Sequence, residues 1–179
     1  MKIHLLRHTK PEIEEGICYG QSDIGLSKNI NTEFESVKHT ITSIEFDVIY
    51  SSPLMRCMQL AEFLSYENIE IINDDRLKEM NFGNWEMMNW QDISKENEAT
   101  EWFNDYVNVK CPKGESYIDL HKRAKAFLKT LKIQNRFKTP LIITHSGVIR
   151  AFYSIIESVS LKESFDLKVD FGELKTFQL

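Results

Sequence analysis

Residues 141–156 read LIITHSGVIRAFYSII. Leu141–Thr144 is an apolar, β-branched run of strand length, and an apolar helix follows from Gly147 through Ile156. A strand that passes straight into a helix is the building unit of an α/β protein with a parallel sheet. The same unit recurs upstream. Ile3–Leu6 reads as a strand that ends in Arg7-His8. Val48–Tyr50 reads as a short buried strand, after which Ser51-Ser52-Pro53 supplies N-cap candidates and a proline suited to a first helical position. The helix so opened carries Leu54, Met58, Ala61 and Leu64 on one stripe and Arg56 in its first turn.

The remaining segments fit the same alternation. Lys10–Ser27, with Pro11, Gly16, Gly20 and Gly25, reads as loop. Phe34, Val37, Ile41 and Ile44 fall at helical spacing, and Ile69–Ile72 is a strand candidate. Residues 86–106 are polar with Trp90, Trp102, Phe103 and Tyr106 interspersed, a helical stretch that could cover a site. Ser116 is placed to cap a long helix whose inner face carries Leu120, Ala124, Phe127, Leu128 and Leu131. Leu174–Phe177 reads as a last strand. No repeat or linker divides the chain, so residues 1–179 are expected to form one domain.

A net charge of −5 and a pI of about 5.6 argue against nucleic-acid binding, which needs a basic face. They leave room for a small anionic substrate met by converging arginines. The first residues are too poor in apolar side chains for a signal peptide, and no apolar run is long enough to span a membrane. Cys18, Cys57 and Cys111 are scattered and odd in number, which suits reduced thiols in a cytoplasm and offers no zinc pattern. No metal or cofactor is therefore expected, and Glu12, Glu14 and Glu15 read as a solvated loop face. A homodimer is left open.

In an open α/β sheet, ligands bind beyond the carboxyl ends of the strands. If the three strands are parallel neighbours, Arg7, His8, Arg56 and His145 converge at one edge. Glu79, in the segment 76–83 after the 69–72 strand, would join them. Taken singly, a strand-end histidine is usually structural and a helix-start arginine usually solvated; together they make a phosphoryl site. Arginine forks match phosphate oxygens. A neutral imidazole can attack phosphorus, and a carboxylic acid can protonate the departing alkoxide.

Leu6-Arg7-His8-Thr9, Ser51-Ser52-Pro53-Leu54-Met55-Arg56-Cys57, Leu77–Glu86 and Thr144-His145-Ser146-Gly147, in this order, resemble the motifs of the histidine phosphatase superfamily, phosphoglycerate-mutase-like branch. Gly20–Ser27 and Pro112–Ser116 resemble family segments too. The resemblance implies a three-layer α/β/α sandwich with a mostly parallel central sheet. It implies His8 as the phosphorylated nucleophile, with Arg7, Arg56 and His145 on the phosphoryl group and Glu79 as acid, then base. Tyr19, Gly20 and Ser146 would lie against the substrate. His8 must be neutral to attack, which the two arginines favour. Glu79 must carry a proton when substrate is bound, and His145 is expected to be protonated in that complex. Thr9 stands where the family more often has glycine. The family's phosphate-binding asparagine would fall near Glu14, so that role is not carried over.

The family's mutases are longer, so hydrolysis of a small phosphorylated metabolite is expected here. A mutase or a sugar-phosphate phosphatase is the alternative. The stretch Gly16–Asp23 is similar to α-ribazole phosphatases of cobalamin synthesis, which makes α-ribazole 5′-phosphate the candidate substrate. Of Tyr19, Trp85, Trp90, Trp102, Phe103 and Tyr106, most read as packing, with Tyr19 and one tryptophan able to stack on a heterocycle. A non-catalytic phospholigand-binding module would be expected to lack the nucleophile or an arginine, and none is missing.

Overall fold

The computed structural model describes residues 1–25, 30–65 and 69–179. Its elements run β1 (Lys2–Arg7), α1 (Ile30–Ile41), β2 (Val48–Ser51), α2 (Met55–Leu64), β3 (Ile71–Asn73), α3 (Trp90–Ile93), α4 (Asn97–Asn104), α5 (Tyr117–Gln134), β4 (Pro140–Thr144), α6 (Ser146–Glu157) and β5 (Leu174–Gln178). The strands form one sheet in the order β3-β2-β4-β1-β5. The pairs β2–β3, β2–β4 and β1–β4 are parallel, and β5 closes the edge antiparallel to β1.

Every residue of β2 and β4 is buried, as a sheet covered on both faces requires. The period-two alternation sorts their side chains into two cores. Ile3, Leu5, Val48, Tyr50 and Ile142 face α5 and α6, where Phe127, Leu128, Leu131, Val148 and Phe152 meet them. Leu6, Ile49, Leu141 and Ile143 face α1 and α2, with Phe34, Val37, Ile41, Leu60 and Leu64. The expected three-layer sandwich with a mostly parallel sheet is the observed architecture.

Several boundaries differ from the sequence reading, each for a local reason. α2 starts at Met55, and Leu54, not a serine, is its N-cap with no side-chain bond. The Ser52 hydroxyl is instead 2.8 Å from His145 Nε2. β3 begins at Ile71 rather than Ile69, because the Ile69 carbonyl accepts from Ser65 Oγ at 2.8 Å and so closes the end of α2. α1 ends at Ile41; Ile44 lies in the turn beyond but still packs on the same core. Residues 86–106 hold two short helices, α3 and α4. Within the loop read over Lys10–Ser27, residues 26 and 27 lie outside the described residues.

The cap at Ser116 forms as expected. The Asp119 carboxylate accepts from the Ser116 hydroxyl at 2.8 Å and from its backbone N–H at 3.3 Å. Lys110 and Ser116 together hold that carboxyl down to about 2. Ser116→Ala is expected to lower the unfolding free energy by about 1 kcal/mol, read from urea denaturation; an unchanged midpoint would contradict the cap.

Candidate active site

Register decides what meets at the sheet edge. Arg7 lies opposite Thr144, and Ser51 opposite Ile143, so β1, β4 and β2 leave the sheet side by side. The residues that follow them, His8, His145 and Ser52, are therefore neighbours. The His8 and His145 rings sit edge to face with centroids 5.0 Å apart.

His8 is 2 % exposed, and its Nδ1 is 2.6 Å from the carbonyl of Thr9. A carbonyl only accepts, so Nδ1 carries the hydrogen and Nε2 keeps its lone pair. Burial pushes His8 well below the usual imidazole range, and the Arg56 and Arg7 charges push the same way. The arginines were expected to do this; burial is the larger cause. His145 is also held well below that range, by burial first and then by His8 and Arg56. It is thus neutral in the free protein, and its expected protonation would have to arrive with the negative charge of a ligand. Its Nδ1 is buried and lacks a hydrogen-bond partner among the described residues.

Arg56 is fully buried at the start of α2, with Nη1 donating to Ser22 O (2.9 Å) and Nη2 to Gly20 O (2.6 Å). Arg7 donates from Nη1 to Val169 O at 2.7 Å. The Nε atoms of both are buried and have no hydrogen-bond partner among the described residues. Tyr19 lies beside them, its ring centroid 5.4 Å from the Arg56 guanidinium.

Glu79 reaches the same place from the far side. Its Oε1 accepts from Met80 N at 2.9 Å and its Oε2 from Gly147 N at 3.1 Å; Ser146 Oγ is 3.5 Å away. Arg123 clamps the turn that carries it, donating to the carbonyls of Arg76, Lys78 and Glu79 while pairing with Glu115. A Cβ on Gly147 would collide with Glu79 Oε1, so glycine there admits the carboxylate.

These groups line one cavity of about 410 Å³. Arg7, His8, Arg56, Glu79, His145, Tyr19, Gly20 and Ser146 all border it, so every site residue expected from the sequence is brought together. The opposite wall is aromatic: Phe82, Trp90, Trp102, Tyr106, Tyr117 and Phe165. Those rings pack mainly on one another, as in the Trp90–Trp102 stack at 5.8 Å and the Tyr106–Phe165 contact at 4.8 Å. Trp85 is not a wall residue; it is fully buried and donates from Nε1 to Glu96.

Arg150, Tyr117 and Phe165 were missed by the sequence reading. Arg150 could have been found, since it lies four residues after Ser146 on one face of α6. Phe165 sits in a 3-10 turn, where no periodicity points to it. The arginines divide cleanly. Arg76, Arg123 and Arg136 pair with Asp74, Glu115 and Glu70. Arg7, Arg56 and Arg150 have no carboxylate partner among the described residues, and these three line the cavity. A second hollow of about 580 Å³ beside β3 holds only Arg76 and Arg136, both already paired. Among the described residues no group of three or more His, Cys, Asp or Glu is arranged for a metal ion, and no helix is long and apolar enough to cross a membrane.

The chain is similar to known proteins along its whole described length. Residues 3–179 match the family model of the histidine phosphatase superfamily (branch 1). Phosphoserine phosphatase 1 of Hydrogenobacter thermophilus is 27% identical over 174 residues, covering 95% of this chain and 82% of that protein. The adenosylcobalamin/alpha-ribazole phosphatase of Escherichia coli K12 is 23% identical over 176 residues, covering 96% and 87%. The structure of the alpha-ribazole phosphatase from Shigella flexneri superposes with a TM-score of 0.92 at 22% identity, covering all of this chain and 91% of that one, a likeness of fold.

The shielded histidines make stability depend on pH. His8, His145, His4 and His121 are all held below their usual value near 6.5. The unfolded chain therefore binds protons that the folded one refuses. Their contribution is fully present above about pH 6.5 and is lost as the pH falls below it, through the folded values. The urea midpoint is expected to drop between about pH 7 and 5, and to drop less steeply in His145→Gln. An identical slope would contradict a buried neutral His145.

Proposed function

The chain belongs to the histidine phosphatase superfamily (branch 1), and from that premise we propose that it hydrolyses small phosphomonoesters through a phosphohistidine on His8. One observation carries the reading. A buried imidazole, its Nδ1 hydrogen spent on Thr9 O, faces two arginines that form no ion pair with a carboxylate among the described residues.

In the first step His8 Nε2 forms a bond to phosphorus as the ester P–O bond breaks, and Glu79 gives its proton to the departing alkoxide. In the second, Glu79 takes a proton from water, whose oxygen bonds to phosphorus as the phosphorus–nitrogen bond breaks. Free His8 and inorganic phosphate result. Arg7 and Arg56 offset the charge on the phosphoryl oxygens, worth most in a site shielded from water. Phosphate charge beside His145 draws a proton onto it and supplies a further donor. Gly147 N–H and Met80 N–H fix the Glu79 carboxyl on the leaving-group side.

α-Ribazole 5′-phosphate remains the first substrate to test, supported by the Gly16–Asp23 resemblance, by the named Escherichia coli relative and by an aromatic wall able to take a base. A second reading is an ester whose alcohol carries a carboxylate, as in phosphoserine. Arg150, unpaired by any carboxylate among the described residues and lining the cavity, favours it, as does the named Hydrogenobacter relative. Three free, buried cysteines fit a reducing compartment such as the cytoplasm.

Glu79→Gln is expected to slow hydrolysis of alkyl phosphates by roughly 100-fold or more, and of p-nitrophenyl phosphate far less, because nitrophenolate leaves without a proton. Equal losses on both would remove Glu79 as the acid. Gly147→Ala, which displaces the Glu79 carboxylate, is expected to reproduce the same substrate-dependent pattern more weakly in steady-state kinetics. Activity is expected to survive prolonged treatment with a strong chelator; loss restored by added metal would overturn the mechanism.

A further inference from the structure

The two phosphate-side arginines are held in different ways. Arg56 is fully buried beneath the loop carbonyls of Gly20 and Ser22, with its inner side on the cavity. Arg7 stands at the end of β1 and is held from behind by the segment that leads into β5. Its Nη1 donates to Val169 O, and the ring centroid of Phe171 lies 3.7 Å from its guanidinium carbon. The Gly172 N–H is shared between the carbonyls of Arg7 and His8, 3.2 Å from each, and Arg7 N donates to Glu173 O at 3.1 Å. Gly172 adopts φ +68, a left-handed turn that brings the preceding ring back over the strand end.

Phe171 has no ordinary reason to be there. It is 40 % exposed, belongs to neither apolar core and does not line the cavity. Its contacts are with the machinery: the Arg7 guanidinium at 3.7 Å and the His8 ring at 5.6 Å. An aromatic face over a guanidinium is attractive, and flat stacking also restricts how the fork can turn. Arg7 has no carboxylate partner among the described residues to aim it, so the Phe171 ring, the Val169 carbonyl and a hydrogen bond to the Tyr19 side chain do what an acid would do elsewhere, without neutralising the charge.

We propose that Phe171 is a positioning residue of this site, whose ring holds the Arg7 fork in the orientation that receives the phosphoryl oxygens. The proposal rests on the hydrolase reading. It requires an aromatic face, not just apolar bulk, and it requires Arg7.

The test compares Phe171→Leu with Phe171→Tyr in the full chain, reading kcat/KM for p-nitrophenyl phosphate and the inhibition constant of orthovanadate. Phe171→Leu is expected to lose roughly 3- to 30-fold in both, and Phe171→Tyr to stay within about twofold of wild type. In an Arg7→Gln background the change to leucine is expected to cost nothing more, an outcome that general loosening of the loop would not produce. A leucine variant equal to wild type, or an equal loss in the Arg7→Gln background, overturns the role of Phe171 while leaving His8-dependent hydrolysis standing. If the wild-type protein turns over no phosphomonoester, the hydrolase reading and this proposal fall together.

Discussion

The register between β1 and β4 is the constraint on which the site depends. Because Arg7 pairs with Thr144, the next residue on each strand is a histidine, and the two rings meet without a loop to bring them together. β2, on the other side of β4, delivers Ser52 to His145 and Arg56 to the same edge. A slip of one residue would turn Leu5 and Leu6 to the wrong cores and would separate the histidines at once. Packing on both faces of the sheet therefore enforces the geometry of the site.

The second constraint is electrostatic. Three arginines converge on a cavity with two buried imidazoles, and none of the three forms an ion pair with a carboxylate among the described residues; Glu79 is the one acid in the lining. Backbone carbonyls do much of the holding: Ser22 and Gly20 for Arg56, Val169 for Arg7 beside the Tyr19 side chain, Leu167 for Arg150. A carbonyl orients a guanidinium while leaving its full charge for the ligand. The same cations, with burial, keep the histidines neutral, which suits a nucleophile in the free protein. Folding has thus placed an excess of positive charge where an incoming anion can balance it.

Much of this was legible in the sequence, because strand-to-helix units advertise themselves by apolar runs that end in polar residues. Ile3–Leu6, Val48–Tyr50 and Leu141–Thr144 announced the sheet, and the residues just after them announced the site. What failed was local competition for polar groups. Ser52 looked like a cap but serves His145, and Ile69 looked like strand but its carbonyl closes α2. What was invisible came from segments with no period. Phe165 and Phe171 lie in the turn and loop before β5, and their partners, Arg150 and Arg7, lie on other elements of the fold. Arg150 alone carried a usable signal, in its helical spacing from Ser146.

The account stands or falls on the bond between His8 and phosphorus. The direct measurement is mass spectrometry of the protein mixed with a phosphomonoester and quenched in alkali, which preserves phosphohistidine. Phosphoryl transfer to His8 predicts one phosphoryl group on the peptide containing His8, lost on acid treatment and absent from His8→Ala. A phosphoryl group on another residue, or turnover that persists in His8→Ala, would contradict it.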